Sequence, residues 1–274
     1  MKLAKIYDVL RNEPAFCSDV YRNTLLELFT DHCTMDKTDF KAKRSGMAKS
    51  GQDLDVEQSE MRGNVCIIPI GGPIGQDLGE FEKGAGAVDV DDIRNELQEA
   101  LEDDECETVI LNFDTPGGMV TGTPELGQVI QDYEKPIYAF TRGQMCSAGY
   151  WLAAACDGIF ATASADIGCI GVCASFTDLS KMADMAGVKV KVFSSGIYKG
   201  MGTPGTSLTP QQEVFLQQRI MSLADMFYAH ITESRGQIDP ADMQGQTFKG
   251  KEALAKGLID DLMPDLDALI KALG

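Results

Sequence analysis

The sequence predicts an α/β protein, a parallel sheet covered by helices, with an N-terminal helical extension in front of it. Three observations lead there. Apolar runs such as VCIIPI (65–70) and TVILNF (108–113) lack polar alternation, the pattern of strands buried on both faces. Amphipathic stretches of helical length stand between these runs. Glycine- and proline-rich turns close them, GGP at 71–73 and DTPGG at 114–118. Repeated strand–helix units of this kind give a parallel sheet with helices on it.

In chain order, residues 1–40 read as largely helical, because Tyr21, Leu25, Leu28 and Phe29 recur at helical spacing. The polar stretch KAKRSGMAKSGQDLDVEQSEMRG (41–63) reads as a linker. This divides the chain into an extension with linker, 1–60, and a main domain, 61–274. Within that domain Val65–Ile70 is a strand, and Asp91–Leu101 is a helix with Ile93, Leu97, Ala100 and Leu101 on one face. Thr108–Phe113 is a strand, Leu126, Val129, Ile130 and Tyr133 mark a helix, and Pro136–Phe140 is a third strand followed by a short loop. An apolar helix starts near Ser147, and Gly158–Ala161 and Val188–Phe193 read as further strands. A long helix fits 210–234, opened by Thr209-Pro210 as cap and first position.

Composition excludes several classes of function. A formal net charge of -18 repels a phosphate backbone, so no nucleic-acid partner is expected. The first 16 residues carry charges throughout and lack the apolar core of a secretory signal. No apolar run reaches the roughly 18 residues of a membrane span, so a cytoplasmic protein without a membrane anchor is expected. The eight cysteines form no CxxC pair and sit mostly in apolar stretches, which makes them buried thiols. A zinc site at His32 and Cys33 would match no common ligand spacing, so neither metal nor cofactor is expected.

Three turns that follow strands carry the residues with chemical potential. In DTPGG the paired glycines Gly117 and Gly118 allow close backbone approach to a substrate and turn N–H groups outward, although a plain tight turn has the same sequence. In GQMCSAGYW (143–151) Ser147 stands where a loop becomes a helix, the place of an N-cap serine. The same place suits a nucleophile, with the N–H of Ala148 turned towards a developing oxyanion. A serine needs a base to take its proton, and the two histidines, His32 and His230, both fall on helical stretches rather than after strands. Lys199, in SSGIYKG after VKVKVF, supplies a different base, provided burial lowers its affinity for protons.

Together these segments resemble the signal peptide peptidase A (SppA) family of Ser–Lys serine peptidases. The likeness runs from about Val65 to Asp260. It is carried by FDTPGG (113–118), CSAGYWLAAACDGI (146–159), ADIGCIGV (165–172), SGIYKG (195–200) and GKEALAKGLID (250–260). The resemblance implies a ClpP/crotonase-like fold, Ser147 as nucleophile and Lys199 as general base. It places the N–H groups of Gly118 and Ala148 in an oxyanion hole, with Gly117 against the substrate. It also implies a peptide or protein substrate and a homo-oligomer, such as a ring around a shared chamber. A single domain without anchor or tandem second half looks like the phage and prophage branch, whose members process scaffold and capsid proteins. Two residues depart from the pattern. Cys146 precedes the nucleophile where relatives carry a small residue. Cys169 replaces a serine that helps to orient the lysine, and a thiol is the weaker hydrogen-bonding partner.

Other readings of the same residues remain open at this point. A Clp-type Ser-His-Asp protease needs a histidine soon after the serine, and residues 147–199 contain none. A crotonase-like acyl-CoA enzyme would leave Ser147 and Lys199 without a purpose. An inactive assembly component would keep the fold and not react with serine-directed probes.

Overall fold

The structure, a computed structural model, describes residues 15–17 and 58–273 except residue 85. Its larger sheet is set by strands whose two faces are both apolar. Strand β3 (Val65–Gly71) turns Cys66, Ile68 and Ile70 to one face and Val65 and Ile67 to the other, the alternation that a pleated strand imposes. Strand β6 (Thr108–Thr115) divides in the same way, with Val109, Leu111 and Phe113 opposite Ile110. β3, β6 and β8 (Ile137–Cys146) run parallel, in the register Val65↔Thr108 and Val109↔Ile137. The first half of β8 pairs in parallel with β9 (Gly158–Ala161), and its last residues pair in parallel with β10 (Asp166–Gly168). Antiparallel partners close the ends, β2 (Glu60–Arg62) on β3 and β11 (Thr247–Lys249) on β10, while β12 (Asp261–Leu262) runs parallel to β9. The architecture is α/β with a mainly parallel sheet, as the apolar runs predict.

Helices cover both faces. Helix α2 (Val90–Glu102) is capped by the buried Asp89, whose carboxylate accepts from the N–H groups of Asp91 and Leu78. With α3 (Thr123–Gln131) and α4 (Ala148–Ala154) it packs over the Ile68/Leu111 face. Helix α8 (Leu266–Leu273) covers the Ile67/Ile110 face through Leu269. Helix α6 (Pro210–Arg235) starts at a capping box in which Thr209 and Gln212 satisfy each other's backbone N–H, and it buries Ala224, Phe227 and Ile231. Two short helices, α1 (Glu80–Gly84) and α5 (Ser180–Met185), and a turn of helix α7 (Gly250–Ala255) complete the set among the described residues.

A smaller sheet has the order β1-β7-β4-β5. β4 (Ile74–Gly75) pairs in parallel with β5 (Val88–Asp89) and with β7 (Gly117–Met119), and β1 (Ala15–Cys17) lies antiparallel on β7.

Several expectations need correction. Residues 15–17 form a strand within the stretch read as helical, and the rest of that stretch, with Tyr21, Leu25, Leu28, Phe29, His32 and Cys33, lies outside the described residues. The end of the polar linker, Glu60–Arg62, is a strand because the edge of β3 offers it backbone partners. β8 does not stop at Phe140; it continues through the predicted loop to Cys146. Val188–Phe193 is not a strand: it is exposed, and no neighbouring strand meets its backbone among the described residues.

Candidate active site

Ser147 lies between the last residue of β8 and the first of α4 with φ 54° and ψ -113°. A non-glycine residue with positive φ is uncommon, and in this region of ψ it stores backbone strain. The surroundings hold it there. Its N–H donates to the carbonyl of Gly168 at 2.7 Å, and its own carbonyl accepts the Trp151 N–H at 2.9 Å as the first bond of the helix. The side chain makes no cap bond to the helix, so the N-cap explanation of this serine fails. A buried hydroxyl (1% exposed) on a sharp strand-to-helix turn has the geometry of a nucleophile elbow. Ala148 opens the helix, so its N–H has no carbonyl four residues earlier within the helix to bond.

Close contacts fix the chain around this turn. Gly149 sits so near Thr115 that a Cβ on it would stand 2.2 Å from the threonine Cγ2. Thr115, fully buried, donates from Oγ1 to the Gly72 carbonyl at 2.6 Å and accepts the Gly117 N–H at 3.1 Å, which shapes the turn into β7. The register along β6 and β8 shifts at this point, from Phe113↔Thr141 to Thr115↔Met145. Asp114 in the shift accepts the Gln144 N–H, and a Cβ on Gly143 would meet its carboxylate at 2.4 Å. Gly118 is pressed on β4, where a Cβ would stand 2.0 Å from the Ile74 carbonyl oxygen. Helix α4 packs directly on β7. Ser147, Ala148, Gly117 and Gly118 therefore share one corner of the molecule.

Lys199 does not join them within the described chain. It stands in an exposed turn, its N–H bonded to the Gly196 carbonyl, and no hydrogen bond links its amine to Ser147. The burial expected from VFSSGIY is not supplied by its own chain: Phe193 is 92% exposed, and Ile197 and Tyr198 are exposed too. The turn is tied instead to the start of α6, through the Tyr198–Phe215 ring stack and the bond from Gln212 to the Ile197 carbonyl.

The neighbouring thiols and the histidine have other work. Burial pushes the Cys146 thiol up to about 12, with the nearby Cys169 and Asp166 acting in the same direction, so Cys146 carries no thiolate for attack. His230 stacks on Trp151 with ring centroids 4.6 Å apart, and its Nε2 donates to the Trp151 carbonyl at 2.8 Å. Burial lowers its proton affinity, which the Trp151 bond and Glu233 offset only in part. Sequence reasoning found the DTPGG turn but missed the bonds of the Thr115 hydroxyl within it, the Trp151–His230 clamp and the pairing of β1 with β7. Gly149 in GQMCSAG, which leaves room for the Thr115 side chain, was the available signal for the first. The other two join residues far apart in sequence. Among the described residues no cluster of His, Cys, Asp and Glu suits a metal ion, and no helix is long and apolar enough to cross a membrane.

Comparison with known proteins identifies the family. The profile of peptidase family S49 matches residues 130–273, and that of the NfeD1b N-terminal domain matches residues 65–191. The capsid assembly protease C of Escherichia phage lambda is 25% identical, across 97% of this chain and 64% of the phage protein. The head-tail preconnector protein GP5 of Enterobacteria phage P21 is 29% identical, across 75% of this chain and 42% of that protein. The chloroplastic serine protease SPPA of Arabidopsis thaliana is 25% identical, across 73% of this chain and 30% of that protein. The chain thus spans less than two thirds of the length of each of these relatives.

Proposed function

Because this chain belongs to peptidase family S49, we propose that it is a serine endopeptidase in which Ser147 attacks the peptide carbonyl and Lys199 is the general base. The observation that carries this reading is the strained, buried Ser147 at the junction of β8 and α4, with a hydroxyl not used as a cap. Neutral Lys199 takes the Ser147 proton as Oγ bonds to the carbonyl carbon. The oxyanion is held by the N–H groups of Ala148 and Gly118. The ammonium returns the proton to the leaving amine, the C–N bond breaks, and water hydrolyses the acyl-enzyme by the same route.

Lys199 reaches Ser147 through association of copies of the chain. Met182, Met185, Val188, Val192, Phe193 and Ile197, in the stretch of chain that leads to Lys199, are all exposed, and exposed apolar side chains concentrated in one stretch suit a contact. Burial in that contact would also supply the desolvation that a neutral lysine requires. The substrate is a protein. The similarity to capsid assembly protease C and to a head-tail preconnector protein favours a structural protein of a phage particle.

A fluorophosphonate probe tests the assignment. It should label Ser147 in the native chain, label Ser147→Ala not at all, and label Lys199→Ala far more slowly. Peptide hydrolysis by Ser147→Ala should fall by about 10⁶-fold, the loss seen when a serine nucleophile is removed. Undiminished hydrolysis by either variant rejects the dyad. An unlabelled native chain that folds and assembles favours the inactive assembly component.

A further inference from the structure

We propose that the chain's own segment 15–17 occupies the substrate strand, so that the peptidase is held closed by an internal peptide. This rests on the reading of β7 as the strand that binds substrate. β7 has two edges. One is taken by β4, at Ile74↔Gly118. The other is the edge on which an extended peptide would add as a further strand, because without β1 it would present backbone groups free to pair beside the corner that holds Ser147. In the structure β1 fills that edge, antiparallel, in the register Ala15↔Met119, Phe16↔Gly118 and Cys17↔Gly117.

The pairing covers Gly117 and Gly118, the residues assigned to substrate contact and to the oxyanion hole. Main-chain bonding of this type does not depend on side chains, so any segment of strand conformation competes for the edge. Because the segment belongs to the same chain, its competition with an external peptide is intramolecular and does not depend on protein concentration. A short strand without a long ladder suits a block that a protein substrate, or removal of the segment, can displace.

The test uses the full chain in a Ser147→Ala background, with and without Ala15→Pro, Phe16→Pro and Cys17→Pro together. Three prolines remove every N–H that the segment can offer. The probe is a fluorescein-labelled synthetic peptide covering residues 12–20, followed by anisotropy under reducing conditions. The proline variant should bind it roughly tenfold tighter, the effect of one to two net backbone hydrogen bonds. Its Gly117–Met119 amides should exchange faster with deuterium than those of the native chain, and added peptide should slow them again. Equal affinity in the two proteins, no binding to either, or unchanged exchange at Gly117–Met119 overturns the proposal. If the triple variant fails to fold, Phe16→Pro alone is measured in the same way.

With Ser147 intact, the proline variant should show a lower KM for an external peptide and an unchanged kcat. Hydrolysis by neither protein, with the difference in binding retained, rejects the peptidase reading and leaves the internal strand standing.

Discussion

At the scale of single residues, the site depends on backbone shape more than on side-chain charge. Gly118 has no space for a side chain, because a Cβ would collide with the Ile74 carbonyl oxygen. Gly118→Ala should therefore push β7 away from β4. It should cost about 1–3 kcal/mol of stability, the usual range for overpacking, and lower kcat through the displaced N–H. Thermal melting and single-turnover hydrolysis would separate the two effects; wild-type values in both would show that the strand can yield at no cost. Cys146 tests the opposite case, a reactive type in an unreactive setting. With its thiol pushed up to about 12, almost none is ionised near neutral pH. Cys146→Ala should keep most of the hydrolytic activity, and iodoacetamide should alkylate the native residue slowly. A Cys146→Ala enzyme as dead as Ser147→Ala would move the nucleophile by one position.

Among the elements, helix α6 connects the turn that carries Lys199 with the helix that follows Ser147. Its first turns carry the Lys199 turn through Phe215 and Gln212, and its middle holds Trp151 of α4 through Phe227 and His230. The His230 contact has a pH signature. Burial lowers the proton affinity of the folded-state imidazole below the ordinary value of 6.5, so between that value and the folded-state value the unfolded chain binds the extra proton. Stability from this group is present above pH 6.5 and is lost as the pH falls through the folded-state value. His230→Gln should flatten the acid side of the stability profile below pH 6.5, as measured by denaturant midpoints at each pH. An unchanged slope would assign the acid sensitivity to the carboxylates. The elements also show what the sequence makes legible. Strands β3, β6 and β9 and the capped start of α6 were readable because their patterns are local: period, length, Thr-Pro. The strand reading of Val188–Phe193 failed because a strand-like run forms a strand only where a sheet edge is there to pair with it. Lys199 was readable as a residue, but its surroundings were not, because its neighbours in the sequence are not its neighbours in space.

For the whole molecule, the described chain separates the two residues that the proposed dyad has to unite. Ser147 is 1% exposed within a finished core, whereas Lys199 rides on a surface where Met185 is 90% and Phe193 92% exposed. Such a surface costs solubility unless it is covered, and in the proposed assembly copies of the chain, each with the same surface, would provide the cover. If the amine enters the site of a neighbouring copy, two inactive variants can repair each other. Ser147→Ala supplies intact lysines, Lys199→Ala supplies intact serines, and random mixing of equal amounts brings both together in about a quarter of sites. The mixture, refolded or exchanged together, should therefore recover about a quarter of native hydrolysis from two inactive parents. Phe193→Asp should weaken assembly and activity in parallel, because it places a charge in the contact without touching the Ser147 corner. Sedimentation and hydrolysis measured on the same samples decide the matter. A mixture that assembles fully and stays inactive would place both halves of the dyad in one chain, and the exposed turn would then have to fold back on its own core.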